Sequence, residues 1–273
     1  MIAAKTWREI RVMAWIYFAI LLLMLVPAIL VWPDLYADLQ RASAMAKAIG
    51  SWGEFMRRAI DAMKNPDEDF AFLSYMALQM YFKGTNVAGI AASVLIGTGL
   101  VARERETTTL EYLLSRPVSR GRILWQKTWP CLLALVIPIF LANWAAIPIA
   151  RSIGYGLPFS GVTWCSVHAA AFVALLFVLT VLASVHCRIQ AHAAFLVGGV
   201  VILELAIYFI PVLRVASLFR VSDFDWYGPI MSGNRPPSEM FDLFSGPGLT
   251  AWISIAAASI YALAHYRFAR IEP

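Results

Sequence analysis

The sequence predicts an all-α membrane protein that crosses the bilayer several times. Its 273 residues are 60% hydrophobic and only 14% charged, whereas soluble domains carry about 25% charged residues. Apolar runs of about 20 residues recur along the chain, and a helix of that length crosses a hydrocarbon core of about 30 Å. We therefore expect one polytopic membrane domain over residues 1–273.

Hydropathy predicts six spans within this domain. They lie at about residues 13–32, 82–102, 129–150, 163–185, 193–213 and 249–266. The first apolar run is too long for a signal peptide, and Pro27 is expected to kink it. The small residues GIAASVLIGTG in the second span favour close helix packing. Residues 69–82 are also apolar, and they either extend the second span or form a re-entrant element.

The spans are joined by loops of unequal length. Residues 33–81 form the longest connection, an external loop with helical patterning. Within it, Ser51 and Glu54 fit a capping box, which predicts a helix that ends before Asn65 and Pro66. The loop before the sixth span is aromatic, acidic and proline-rich, and its SEMFDLF stretch predicts a short helix.

Lysine and arginine are distributed unequally over the two sides of the predicted bundle. Twelve bases and five acids fall on the side of the termini, a net charge of +7, against −1 on the other side. Because cytosolic loops are enriched in bases, both termini are expected on the cytosolic side. The expected location is the cell (inner) membrane. The overall positive charge then reflects topology, and no nucleic-acid partner is expected. The twelve bases are Lys5, Arg8, Arg11, Arg103, Arg105, Arg116, Arg120, Arg122, Lys127, Arg188, Arg267 and Arg270.

The basic segment 103–127 between the second and third spans predicts a short amphipathic helix. Thr108 and Glu111 fit a capping box. The three leucines that follow share one helical face, Pro117 ends the helix, and Ser119 can cap the next one. Two interpretations are open: a helix lying in the lipid headgroups, or a docking helix for the groove of a cytosolic partner. The leucines are Leu110, Leu113 and Leu114.

The same segment resembles a signature of type-2 ABC exporter permeases. Its ERE triplet, TLEYLLS, PVSR and Lys127 are similar to the family run E-R-E-x-G-T-L-E-x-L-L-S-x-P-V-S-R. One departure is Thr108, which stands where the family usually has glycine. The basic end of the chain, YRFAR, is also similar to the end of these permeases after their sixth span.

The resemblance implies a permease that works as a dimer with two cytosolic ATPase subunits. The segment between spans two and three would be the coupling helix, pushed by the ATPases as they close on ATP. ATP and Mg would be bound by the partner, and no cofactor by this chain. The residues implied in ATPase docking are Glu104, Arg105, Glu106, Leu110, Glu111, Leu113, Leu114 and Arg120.

Other polar residues offer little chemistry. Glu204 lies within the fifth predicted span, where a carboxylate is costly and so is a functional candidate. It lines a translocation path, takes up a proton, or serves structure by hydrogen bonding to a neighbouring helix or as a protonated, silent acid, and these alternatives are open. His186, Cys187 and His192 match no standard zinc spacing, so no metal site is expected. The stretch Gly121–Thr128 resembles a P-loop but carries Gln126 in place of the second glycine. Ser254 and His265 lie 11 residues apart, about 16 Å along a helix, too far apart for a hydrolase pair.

Three functions fit these observations. The first is a permease subunit of an ABC exporter that moves an unidentified substrate and is not itself an enzyme. The second is a non-transporting ABC membrane subunit that acts mechanically on an external partner through residues 33–81. The third is a scaffold or sensor that has no ATPase partner.

Overall fold

The computed structural model describes residues 2–41, 54–115, 117–244 and 248–271, and in these ranges the regular structure is all helical. Short 3-10 turns at Arg214–Ala216, Leu218–Ser222 and Pro237–Met240 lie before the last helix. In chain order the helices are α1 (Ile2–Arg41), α2 (Glu54–Met63), α3 (Glu68–Glu106), α4 (Thr109–Leu114), α5 (Arg120–Ser152), α6 (Phe159–His186), α7 (Gln190–Phe209), α8 (Phe224–Met231) and α9 (Leu249–Ala269).

Six of the described helices are long and apolar enough to cross a membrane, namely α1, α3, α5, α6, α7 and α9. They contain the cores of the six predicted spans, and most extend beyond them into the flanking polar residues. In particular, α1 continues through Pro27 and Pro33 to Arg41. The chain is therefore a multi-pass membrane protein.

The second span begins much earlier than its hydropathy indicates. Asp67 starts α3, because its side chain accepts from the amides of Asp69 and Phe70 at 3.1 and 3.3 Å. Residues 69–82 therefore extend the span, partly as a π-helix over Ala77–Asn86. Much of the connection predicted at 33–81 is therefore helical, as the end of α1 and the start of α3, and the described residues 54–67 between these helices contain α2. The predicted cap at Ser51 lies outside the described residues.

The central helix is α6, which packs against α3, α5, α7 and α9. Two glycines of α3 let its backbone approach α6 closely. A Cβ at Gly89 would lie 2.4 Å from Val173 Cγ2, and one at Gly97 would lie 2.8 Å from Thr180 Cγ2. These distances are shorter than real contacts allow, so the small residues of the second span are needed for this packing.

The two ends of the bundle differ in character. Among the described residues, the basic end contains residues 2–11, 103–115, 117–122 and 186–190 and the last turn of α9. The opposite end contains α2, the α5–α6 connection and the segment between α7 and α9. There, α8 packs against α3 and α6, and Tyr227 stacks on Tyr81 with 4.9 Å between ring centroids. The SEMFDLF stretch forms only the end of a 3-10 turn rather than the predicted helix.

Candidate functional site at the basic end

The helix predicted in the basic segment is α4, a short element between the ends of α3 and α5. Its predicted capping box is wrong. Thr108 precedes α4 in a left-handed conformation, φ 57°, and its hydroxyl bonds to the backbone oxygen of Thr107 instead of an amide of α4. Ser119 does precede α5, but it also lacks a side-chain cap bond. Left-handed backbone favours glycine, which is the residue that the resembled signature carries at Thr108.

The leucine face of α4 turns into the bundle. Leu110 is buried at 5% exposure, and Leu113 and Leu114 are half-buried against the same apolar core, which includes Ile123 and Phe268. These side chains therefore hold α4 onto its own chain. None of the three presents a free apolar ridge.

The outward face of α4 carries different residues. Glu111, Tyr112 and Ser115 are exposed, and the exposure of Tyr112 is 77%. The sequence pattern did not predict a role for Tyr112, because the apolar positions of the segment are those of the leucines. The signal that identifies it is its position in the helical repeat: Tyr112 is two positions after Leu110, about 200° around the helix.

An ion pair joins the end of α3 to the start of α5. Lys127 pairs with Glu104, and their side chains are only 10% and 17% exposed. The Lys127 ammonium also donates to the backbone oxygen of Leu100 at 2.8 Å. That oxygen is available because α3 loosens into a turn at residues 99–101, which frees its carbonyl from the helix ladder.

The next two charged residues bond to the ends of α6 and α7. Arg105 Nη1 donates to the backbone oxygens of Val185 and Cys187 at 3.0 and 3.4 Å. Glu106 accepts from the backbone amide of Gln190 at 3.1 Å. A cation thus lies at a helix C-terminus and an anion at a helix N-terminus, which the helix dipoles favour.

Arg120 connects the start of α5 to the end of α9. Its guanidinium donates to the backbone oxygen of Ile271 and, at 3.3 Å, to that of Ala269. We call Glu104, Arg105, Glu106, Arg120 and Lys127 the basic-end network. It ties the ends of α3, α5, α6, α7 and α9 together around α4. Four of its five members are among the residues implied in ATPase docking, and each of the four bonds within its own chain.

The predicted intramembrane carboxylate lies elsewhere. Glu204 is near the C-terminal end of α7, away from the basic end, and its Oε2 accepts from the amide of Leu218 at 2.8 Å. Its backbone oxygen accepts from Ser217 Oγ at 2.9 Å. It borders an apolar groove of about 400 Å³ between α6 and α7. Its position explains the start of the 3-10 turn at Leu218, and its proposed transport role stays a prediction.

In a comparison with known protein families, the chain matches over residues 1–270 the family described as ABC-2 family transporter protein. The chain belongs to the ABC-2 family. The resemblance seen in the basic segment is thereby confirmed at the level of the family. A comparison with curated proteins finds no match.

Membership of the ABC-2 family defines the general role of the chain. Proteins of this family are membrane components of transport systems, generally distinct from the ATPase, and the family implies an ABC ATPase partner. The six membrane-length helices agree with that role.

Proposed function

We propose that the chain is the permease subunit of an ABC exporter in the cell (inner) membrane. It couples ATP hydrolysis by a separate cytosolic ATPase to movement of a substrate. Membership of the ABC-2 family supports this function most directly. ATP and Mg bind to the partner, because the P-loop-like stretch Gly121–Thr128 forms the first turns of α5 and lacks the second glycine.

In this proposal the basic end, with both termini, faces the cytosol. The support is the surplus of exposed arginines at that end, as the positive-inside rule requires. Exposed members include Arg8, Arg11, Arg103, Arg122, Arg188 and Arg267.

We assign α4 as the coupling helix, and the basic-end network is the observation that carries the assignment. A push on α4 reaches α3 and α5 through the chain and through Glu104 and Lys127. It reaches α6, α7 and α9 through Arg105, Glu106 and Arg120. Because these bonds join helix ends rather than flexible loops, displacement of α4 moves five spans together.

The structure changes which residues of α4 meet the ATPase in this proposal. Leu110, Leu113 and Leu114 hold α4 to the bundle from inside, so the contact surface is the outward face with Glu111 and Tyr112. Exposed tyrosines often dominate protein interfaces, since they combine apolar area with a hydroxyl. The network residues would act by positioning α4.

The test is co-purification of the tagged chain in mild detergent, with ATP hydrolysis measured in the purified complex. Tyr112→Ala is expected to lower ATPase recovery at least tenfold, since loss of an interface tyrosine often costs about 2 kcal/mol. Glu111→Lys tests the charge on the same face. Both positions are exposed, so neither change disturbs the core.

Tyr112→Phe is the matched control, because it keeps the ring and its contact area and should retain most of the ATPase. Recovery of the ATPase with Tyr112→Ala at the wild-type level would exclude this docking face. Absence of any ATPase from wild-type preparations would contradict the coupling proposal. It would favour the interpretation that α4 lies in the lipid headgroups.

A second copy of the chain is the other partner in this proposal. The spans α1, α7 and α9 leave most of their apolar surface uncovered, and a homodimer would cover part of it while lipid covers the rest. Cross-linking of the purified chain in lipid nanodiscs measures the copy number, and a monomer that retains ATPase coupling would contradict a dimeric permease.

One observation favours the second function, a non-transporting ABC membrane subunit that acts mechanically on an external partner. Helix α2 buries Ala59, Ile60 and Met63 in the bundle, and Arg58 pairs with Asp225 of α8. Motion of the spans would therefore reach α2. A bifunctional maleimide cross-link between Arg58→Cys and Asp225→Cys should stop action on an external partner if α2 must move, while substrate efflux should continue in a permease.

A further inference from the structure

A second polar site lies at the opposite end of the bundle, far from α4. It is a half-open cavity of about 680 Å³ between α2, the segment that follows α7, and α8. Four arginines and two aspartates line it, which leaves a surplus of two positive charges. They are Arg58, Arg214, Arg220, Arg235, Asp223 and Asp225.

The acids neutralise only part of this charge. Asp223 pairs with Arg214, and Asp225 pairs with Arg58 and lies 3.8 Å from Arg214. Outside the cavity lining, Glu239 pairs with Arg235 at 3.7 Å. Arg220 is exposed and has no ion pair within the part of the chain that the structure describes. The cavity therefore favours an anion.

Buried donors on the lining residues point the same way. Trp226 is only 5% exposed, and its Nε1 has no hydrogen-bond partner among the described residues. Arg58 Nε and Arg235 Nη1 are also buried atoms that have no hydrogen-bond partner among the described residues. The Arg235 guanidinium lies 4.3 Å from the Trp226 ring centroid. A buried donor without an acceptor costs about 1–3 kcal/mol. The three residues that carry these donors line one cavity, and a ligand with several acceptor oxygens would offer the donors partners there.

The chemistry of the lining selects the kind of anion. Arginine guanidinium groups match the oxygens of phosphate in a paired geometry. The cavity is much larger than one phosphate ion, and Pro211, Val215 and Leu249 add an apolar side to it. Next to that side, Val212 and Val215 are exposed at 86% and 70%, beyond the end of the lipid-facing helix α7.

We propose that this cavity binds the phosphate headgroup of an anionic phospholipid, with the acyl chains along the exposed apolar surface of α7. Arg220 supplies the uncompensated charge, and Trp226 Nε1 and Arg235 Nη1 donate to the phosphate oxygens. The proposal depends only on membrane embedding, and it does not require an ATPase. It places a lipid-recognition site at the end of the bundle opposite the coupling helix.

The test measures binding of short-chain phosphatidylglycerol to the purified full-length chain in nonionic detergent, by the shift of its thermal unfolding midpoint. Arg220→Gln is expected to weaken binding at least fivefold, and Trp226→Phe, which keeps an aromatic ring but removes the donor, at least threefold. Arg151→Gln is the matched control: Arg151 is exposed at the same end but does not line the cavity. It should change affinity less than twofold.

Three results would overturn the proposal. The first is unchanged affinity in Arg220→Gln, a surface substitution that leaves folding intact. The second is equal binding of a short-chain diacylglycerol, which has no phosphate. The third is inorganic phosphate competing at the same concentration as the lipid, since that would assign the cavity to a soluble anion. Co-purification with Tyr112→Ala is independent of all three, so failure here and failure of the coupling proposal can be told apart.

Discussion

At the scale of single residues, charge placement decides how the basic end is built. Glu104, Arg105 and Glu106 are adjacent in sequence, yet they bond to three different places: Lys127 of α5, the end of α6 and the start of α7. Each satisfies a charge or a helix terminus that would otherwise lack a partner. Their first role is therefore cohesion of the bundle, and any effect on ATPase docking passes through the position of α4.

Removing one member of the buried pair should be costly. Lys127→Met leaves Glu104 without its cation in a site where both side chains are at most 17% exposed. Loss of one partner of a buried pair costs about 3–5 kcal/mol, so we expect a loss of that order in the free energy of unfolding. Denaturant unfolding in detergent measures it.

The double variant Lys127→Met with Glu104→Gln should recover much of that loss, because it removes both charges. Arg122→Met serves as the control, since Arg122 is an exposed base one turn earlier on α5 and surface changes stay within about 0.5 kcal/mol. A single variant no less stable than the control would show that the pair is not buried in the folded protein.

At the scale of elements, helix packing explains the small residues of α3. The stretch was predicted to pack closely, and the structure shows the neighbour to be α6, through Gly89 and Gly97. Sequence patterning cannot name the neighbour, since every apolar span offers a compatible face. The same limit applies to α4: its leucine face was correctly located, but whether that face turns to the bundle or to a partner depends on tertiary contacts.

Gly97→Ala tests this packing. The added methyl would lie 2.8 Å from Thr180 Cγ2, so α3 and α6 must separate, and overpacking of this kind costs about 1–3 kcal/mol. Gly198→Ala in α7 is the matched control because its Cβ meets nothing within 4 Å. It should gain up to about 1 kcal/mol in helix propensity. Equal thermal midpoints for the two variants would contradict the close α3–α6 contact.

At the scale of the whole molecule, the unequal distribution of charge predicts the orientation in the membrane. Ser115 lies at the basic end and Ser152 at the opposite end. They form a matched pair, since both are exposed and donate to the backbone oxygen three residues earlier, at 3.0 and 2.6 Å. Cysteine at either position should therefore react whenever a reagent reaches it.

An impermeant maleimide applied to intact cells should label Ser152→Cys and leave Ser115→Cys unmodified, with both labelled after permeabilisation. The background carries Cys187→Ser, because Cys131 and Cys165 are buried and Cys187 is half-buried. Labelling of Ser115→Cys in intact cells would show that the orientation is opposite to the proposed one. Helix α4 would then be out of reach of a cytosolic ATPase.

The sequence by itself determined the all-helical membrane class, the six spans, the place of α4 and the family. These follow from local composition, period and a contiguous motif, which need no knowledge of distant contacts. Tertiary structure alone decided that the leucines of α4 face inward, that the charged triplet bonds to α5, α6 and α7, and that four arginines and Trp226 line one cavity. The physical reason is that direction and partnership of a side chain depend on residues tens to more than a hundred positions away.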